Sequence, residues 1–175
     1  MPIIFRTTEN FMTLLRSDLS RPHPFAHERV GFISVRAAKG SNHLVLLANN
    51  YHPVADADYL PDPDVGAMMS ADVLRKALEI ALLNPVGMFH VHMHLLSARL
   101  WFSPTDLREQ LRYMPDFFKV RHGMPHGAIV LNSRSAAGRV WLGPTDIVHI
   151  DEFNIVGSEM KIARAAHDGS TDFYV

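Results

Sequence analysis

A chain of 175 residues with 47% hydrophobic composition is long enough for one well-formed core and too short for two typical domains, so a single domain over residues 1–175 is expected. A formal net charge of -1 without a long basic run argues against a surface built to neutralise nucleic-acid phosphates or anionic lipid. The absence of cysteine removes disulfides, thiolate nucleophiles and every cysteine-containing zinc site, leaving histidine and carboxylate as metal ligands.

Met1 to Arg6 lacks the basic region, apolar core and small-residue cleavage site of a secretory signal. No apolar run approaches the ~18 to 20 residues that span a bilayer. A cytoplasmic protein with neither membrane nor nucleic acid as partner is therefore expected. Ile3 to Thr7 reads as a strand, and Asn10 to Leu19 as a helix capped by Asn10 with Phe11, Leu14 and Leu15 on one side. Glu28 to Val35 and His43 to Ala48 read as strands joined by a turn at Lys39-Gly40-Ser41-Asn42. Tyr51 to Val65, rich in Pro, Asp and Ala without periodicity, reads as an exposed loop lying over a groove.

Ser70 predicts a helix N-terminus, with Leu74, Ala77, Leu78 and Ala81 on its inner face and Asn84-Pro85 as its stop. Val86 to His94 follows as a strand. Ser103 with Pro104 at the first helical position predicts a further helix, Leu107 and Leu111 inward and Arg108, Glu109 and Arg112 outward. Ala128 to Leu131, Val140 to Leu142 and Ile147 to Val156 complete the expected strands, the first two joined across residues 132–138; the tail after Gly157 shows no clear pattern. Helices interspersed with strands predict an α/β or α+β fold with a mixed sheet.

The richest segment is His90-Val91-His92-Met93-His94, followed by Ser103-Pro104-Thr105-Asp106. Alternate residues of a strand share a face, so two histidines in H-x-H sit roughly 6 to 7 Å apart at the backbone and can converge on one ion. Imidazole ligates zinc at about 2.0 to 2.1 Å, and an aspartate from the first turn of the next helix would be a third ligand, leaving a fourth position for water. That is the plan of a catalytic site. Taken singly, these residues have plainer roles: Ser103 as a helix cap, Asp106 as a partner of the helix dipole, Glu28 as a surface carboxylate at a strand start.

In combination, Glu28-x-x-Gly31-Phe32, Val86-Gly87 leading into H-x-H, and Ser103-x-x-Asp106 resemble the JAMM/MPN (Mov34/JAB) metalloprotease family, over about residues 28–142. The resemblance implies an MPN-like domain, a curved mixed sheet flanked by helices, holding one catalytic Zn2+ on His92, His94 and Asp106. It implies a zinc-dependent peptidase or isopeptidase cleaving after the C-terminus of ubiquitin or a ubiquitin-like protein, with that protein or its conjugate as substrate and E1/E2-like enzymes as pathway partners. Glu28 would be the proton shuttle, and Ser103 would donate to the oxyanion of the tetrahedral intermediate. Trp101 and Phe102 would wall the channel for the substrate tail.

Two departures from the family pattern stand out. With His92 and His94 as the pair, the loop before Ser103 is eight residues (Leu95 to Phe102), one longer than the family's usual spacing; with His90 and His92 it is ten. The shorter loop favours His92 and His94, with His90 as the alternative ligand or as a residue orienting a ligand. Leu95, or Met93 in the other register, stands where the family has proline. A non-catalytic MPN scaffold and a metal hydrolase of small amides are the competing readings. A zinc nucleobase deaminase is excluded by the lack of cysteine.

Overall fold

The computed structural model describes residues 1–23, 26–62, 66–94, 100–165 and 170–172. Helix α1 (Glu9–Leu19) starts at Thr8, not Asn10: Thr8 keeps extended backbone angles and its hydroxyl accepts from Phe11 N–H, whereas Asn10 already lies within the helix. Met12, Leu15 and Leu19 are its buried residues and Leu14 is exposed, a correction that follows from the one-residue shift in the inner face. Helix α2 (Ala71–Leu83) begins after Ser70 as expected, and buries Val73, Ala77 and Ala81 with Leu74 and Leu78 packed beside them. Helix α3 (Pro104–Val120) begins after Ser103. Its buried side chains are Gln110, Met114, Phe117 and Phe118, while Leu111 is exposed, because Gln110 takes the inner position on that turn.

The strands are β1 (Ile3–Thr8), β2 (Val30–Lys39), β3 (Leu44–Pro53), β4 (Tyr59–Leu60), β5 (Met68–Met69), β6 (Gly87–Met93), β7 (His126–Leu131), β8 (Ser135–Trp141), β9 (Ile147–His149), β10 (Glu152–Val156), β11 (Met160–Arg164) and β12 (Ser170–Asp172). The main sheet runs β11-β10-β1-β3-β2-β6-β7-β8-β12, with β9 pairing β8; β4 and β5 form a separate ribbon. It is mixed: β1 is parallel to both β3 and β10, β6 is parallel to β7, and the other pairings of the main sheet are antiparallel.

The sheet is strongly curled. β11 ends at Arg164 and β12 begins at Ser170 on the opposite end of the path. Six Cα steps reach at most about 23 Å, whereas nine flat strands would separate those edges by about 38 Å.

Three expectations change here. The single strand Ile147 to Val156 is two, β9 on β8 and β10 on β1, so the chain crosses between distant strands at Ile150-Asp151. The turn after β7 is short, since β8 already starts at Ser135. Tyr51 to Leu60 is not an exposed loop: Tyr51 to Pro53 extend β3, Asp56–Asp58 form a 3-10 turn, and Val54 and Tyr59 are buried. Residues 63–65 of that segment lie outside the described part.

Apolar side chains pack on both faces. Phe89, Val91 and Met93 of β6 join Ile33, Val35, Phe5 and Leu15 under α1; Met88 joins Phe32, Ala128, Val130 and Phe117 under α2 and α3. Gly87 opens β6 because a Cβ there would run into the carbonyl oxygen of Pro125. Among the described residues no helix is long and apolar enough to cross a membrane.

Candidate metal centre

Strand β6 is buried along its whole length. Its period of two sends His90 and His92 to the face of α2 and α3, opposite Phe89 and Val91. His94, one residue past the strand end, is tied back by its N–H to Leu131 O at 2.8 Å. This brings His94 Nε2 to 3.1 Å from His92 Nε2.

Helix α3 delivers the acid. Ser103 Oγ accepts from Asp106 N–H at 3.1 Å, and Asp106 Oδ2 accepts from Ser103 N–H at 2.7 Å, a reciprocal capping box that fixes both side chains. The same Oδ2 lies 3.5 Å from His92 Nε2 and 4.0 Å from His94 Nε2. For ligands 2.0 to 2.1 Å from an ion, tetrahedral geometry sets ligand-to-ligand separations of about 3.4 Å. Separations of 3.1, 3.5 and 4.0 Å bracket that value. The residues present therefore fit a small tetrahedral cation.

Glu28 arrives from just before β2, far upstream in sequence. Its Oε1 is 3.6 Å from His94 Nε2. Glu28, His92 and His94 offer ligand atoms all within 4.8 Å of one another, a group that could hold a metal ion. Three residues that sequence reasoning passed over place Glu28. Arg29, 3% exposed, donates to Arg21 O, Pro22 O and Asp56 Oδ1; Tyr59 Oη pairs with both Val30 N–H and Val30 O. Gly66 O accepts from His27 N–H and Glu28 N–H at 2.8 and 2.9 Å, and a Cβ on Gly66 would lie 2.6 Å from Glu28 Oε2. The missing side chain is what leaves room for the carboxylate. A lone glycine after Pro-Asp-Val carries no sequence signal for that role.

Electrostatics separate the members. Burial raises the Asp106 carboxyl, but the hydrogen bond and charge of His92 and the two bonds at Ser103 outweigh it, holding Asp106 well below the usual carboxylate range. His94 is shifted down by burial and by the charge of His92, partly offset by Glu28 and Asp106. Burial pushes His90 down to about 3, so its ring is neutral. His90 is not among the converging ligands: its ring sits beneath His92 at 5.6 Å between centroids, edge-on to Phe32 and Tyr113, and neither ring nitrogen has a hydrogen-bond partner. His92 Nδ1 is likewise buried without a partner, although ligating histidines usually donate that hydrogen to an acceptor.

Phe102 is only 3% exposed and packs 6.0 Å from the His92 ring, so it braces the ligand from behind and offers no wall to a substrate. Trp101 is half-buried, edge-on to Phe102 and 5.2 Å from His149. Residues 95–99, most of the loop between His94 and Ser103, lie outside the described part.

No protein-family model matches the sequence, and no curated protein matches it. Among solved structures, the chain is similar to the Trichoplax adhaerens STIL N-terminal domain at 8% identity and a TM-score of 0.39, over 91% of this chain and 44% of that one. The chain thus spans under half the length of that structure.

Proposed function

We propose that this chain is a zinc-dependent hydrolase of amide bonds with the JAMM/MPN ligand set and an MPN-like fold, acting as a peptidase or isopeptidase after the C-terminus of a ubiquitin-like protein. One observation carries the reading. Glu28, the pair His92 and His94, and the pair Ser103 and Asp106 come from three stretches of chain, yet Glu28 and Asp106 both lie within 4.0 Å of His94 Nε2 and Ser103 is tied to Asp106 by two hydrogen bonds, a set like the family's glutamate, H-x-H and S-x-x-D.

His92, His94 and Asp106 would hold the ion. When bound, zinc supplies Lewis acidity, polarising a carbonyl and acidifying water. Glu28 Oε1, beside His94 and without an ion pair to Lys or Arg among the described residues, accepts a proton from the attacking water and returns it to the leaving amine. Ser103 Oγ already accepts from Asp106 N–H, so its own hydrogen remains to be donated and would serve a developing oxyanion. Asp106, kept ionised by His92 and Ser103, stays a ligand and takes no proton during the cycle.

The test compares zinc-loaded wild type with Glu28→Gln against ubiquitin-like fusions and simple amides. We expect the wild type to cleave fusions, and Glu28→Gln to keep its zinc while turning over about 10² to 10⁴ times more slowly. His92→Ala and Asp106→Ala lose the metal. Equal turnover by Glu28→Gln removes Glu28 from the chemistry. Cleavage of simple amides alone reassigns the substrate, and zinc far below one per chain in the wild type turns the protein into a scaffold.

A further inference from the structure

Behind the metal centre, one row of the sheet reads Phe32, His90, Ala128, Arg139 across β2, β6, β7 and β8. Directly opposed residues share a face, so all four point toward α3. Ala128, the smallest, separates His90 from Arg139, whose Cα atoms are two strand spacings, about 10 Å, apart. Gln110 and Tyr113 of α3 lie over this gap. Gln110 Oε1 accepts from Arg139 Nη1 at 3.0 Å, and the Tyr113 ring is 6.0 Å from that of His90.

The hydrogen-bond accounting of this row is one-sided. Gln110, 1% exposed, leaves Nε2 without a partner, and Trp141, fully buried, leaves Nε1 without one. His90, 8% exposed, leaves both ring nitrogens unpaired. Arg139 lies 4.8 Å over the Trp141 ring, is partly buried, and forms no ion pair among the described residues. Of the nearby acids, Asp106 Oδ2 is engaged by Ser103 and His92, and Glu109 faces Arg108 and Arg112 on the outer side of α3. Neutral His90 contributes one donor and one acceptor, so with Gln110 Nε2 and Trp141 Nε1 the unpaired groups hold more donors than acceptors beside a cation, and leaving such groups unmatched away from water is costly.

The geometry points to a small-anion site between His90 and Arg139, beneath Gln110 and Tyr113, that takes a carboxylate or another oxyanion. An acceptor-only ligand would receive bonds from Gln110 Nε2 and the Arg139 guanidinium, with one N–H of His90 as a further donor. Arg139 suits this because its planar fork pairs with two oxygens at once. The site is independent of the metal: it shares no ligand with it, and it is read without turnover.

The experiment titrates the full chain, with and without zinc, at constant ionic strength. The probes are acetate, inorganic phosphate, and a short peptide with either a free or an amidated C-terminus. The readouts are tryptophan fluorescence and the thermal midpoint. We expect saturable quenching and a raised midpoint in both metal states, weakened at least tenfold in Arg139→Gln and in Gln110→Met. Arg139→Lys, which keeps the charge and loses the fork, gives an intermediate loss, and decides the matter if Arg139→Gln does not fold. A response to acetate and the free-terminus peptide but not to the amide identifies a substrate-borne carboxylate; a response to phosphate alone identifies a free oxyanion. No saturable response to any probe, or an equal response in Arg139→Gln, overturns the site whatever the outcome of the hydrolysis assay.

Discussion

Two buried histidines on neighbouring strands, His90 on β6 and His126 on β7, face the same side of the sheet with opposite consequences. His126 is fully paired: its Nδ1 accepts from Met88 N–H at 3.1 Å, which leaves the Nε2 hydrogen to be donated to Arg121 O at 3.0 Å, and its ring lies against Phe117 and Phe118. His90 is nearly as buried and has no partner for either nitrogen. Burial and residue type are shared, so neither discriminates. What differs is whether the backbone has answered the ring. A paired histidine is a structural tie; an unpaired one beside a ligand cluster belongs to a site.

Substitution at each position tests this difference directly. His126→Leu strands the buried Met88 N–H, worth about 1 to 3 kcal/mol, and removes one of the two hydrogen bonds to Arg121 O, which Met124 N–H also reaches, so it should lower the free energy of unfolding in urea by about 2 to 4 kcal/mol. Acid sharpens the same contrast. Burial holds the folded His126 pKa at about 4, below the ordinary 6.5. Between those values the unfolded chain binds the proton and the native ring does not. The contribution is therefore complete above pH 6.5, falls as pH falls, and has been lost near pH 4. At pH 5 the loss is about 2 kcal/mol. It should show as that much extra destabilisation from pH 7 to pH 5 in the wild type relative to His126→Leu, and an identical pH dependence in the two would refute the assignment.

Gly66→Ala moves the Glu28 carboxylate without touching a ligand. Zinc content should stay at wild-type level while turnover falls about tenfold, equivalent to about 1.4 kcal/mol in the barrier; a parallel loss of metal would mean that Gly66 supports the ligands instead. The smallest effect is expected at His90. His90→Leu removes unpaired polar atoms and strands no partner, so stability should change by less than about 1 kcal/mol. A loss as large as that of His126→Leu would erase the comparison.

Much of the site could be read in the chain because its parts are local in sequence. H-x-H needs only the two-residue period of a strand, and Ser103-Pro104-Thr105-Asp106 contains its own capping box, so the position and orientation of Asp106 follow from four residues. Glu28 was legible only through the family pattern, since nothing local distinguishes it from a surface carboxylate. Its supports, Arg29, Tyr59 and Gly66, were not legible at all. Tyr59, and Asp56 that pairs with Arg29, come from the segment that composition alone marked as an exposed loop, and Gly66 directly follows it. Leu14 and Leu111 failed for a related reason: a helix's apolar stripe is wider than the part its neighbours cover, and which of its side chains turn outward is decided by what packs against the helix.

By itself the sequence determined what short-range chemistry can specify: helices and strands with a period and a cap, a histidine pair able to share one ion, and the lack of any thiol. Only the tertiary structure decided which groups meet. The parallel insertion of β1 between β3 and β10, the curl of the sheet, and the approach of Gly66 to Glu28 all depend on pairings between segments remote in sequence, whose partners no local propensity encodes. The same holds for the two histidines, because a ring nitrogen is satisfied or left unpaired according to which distant backbone packs against it.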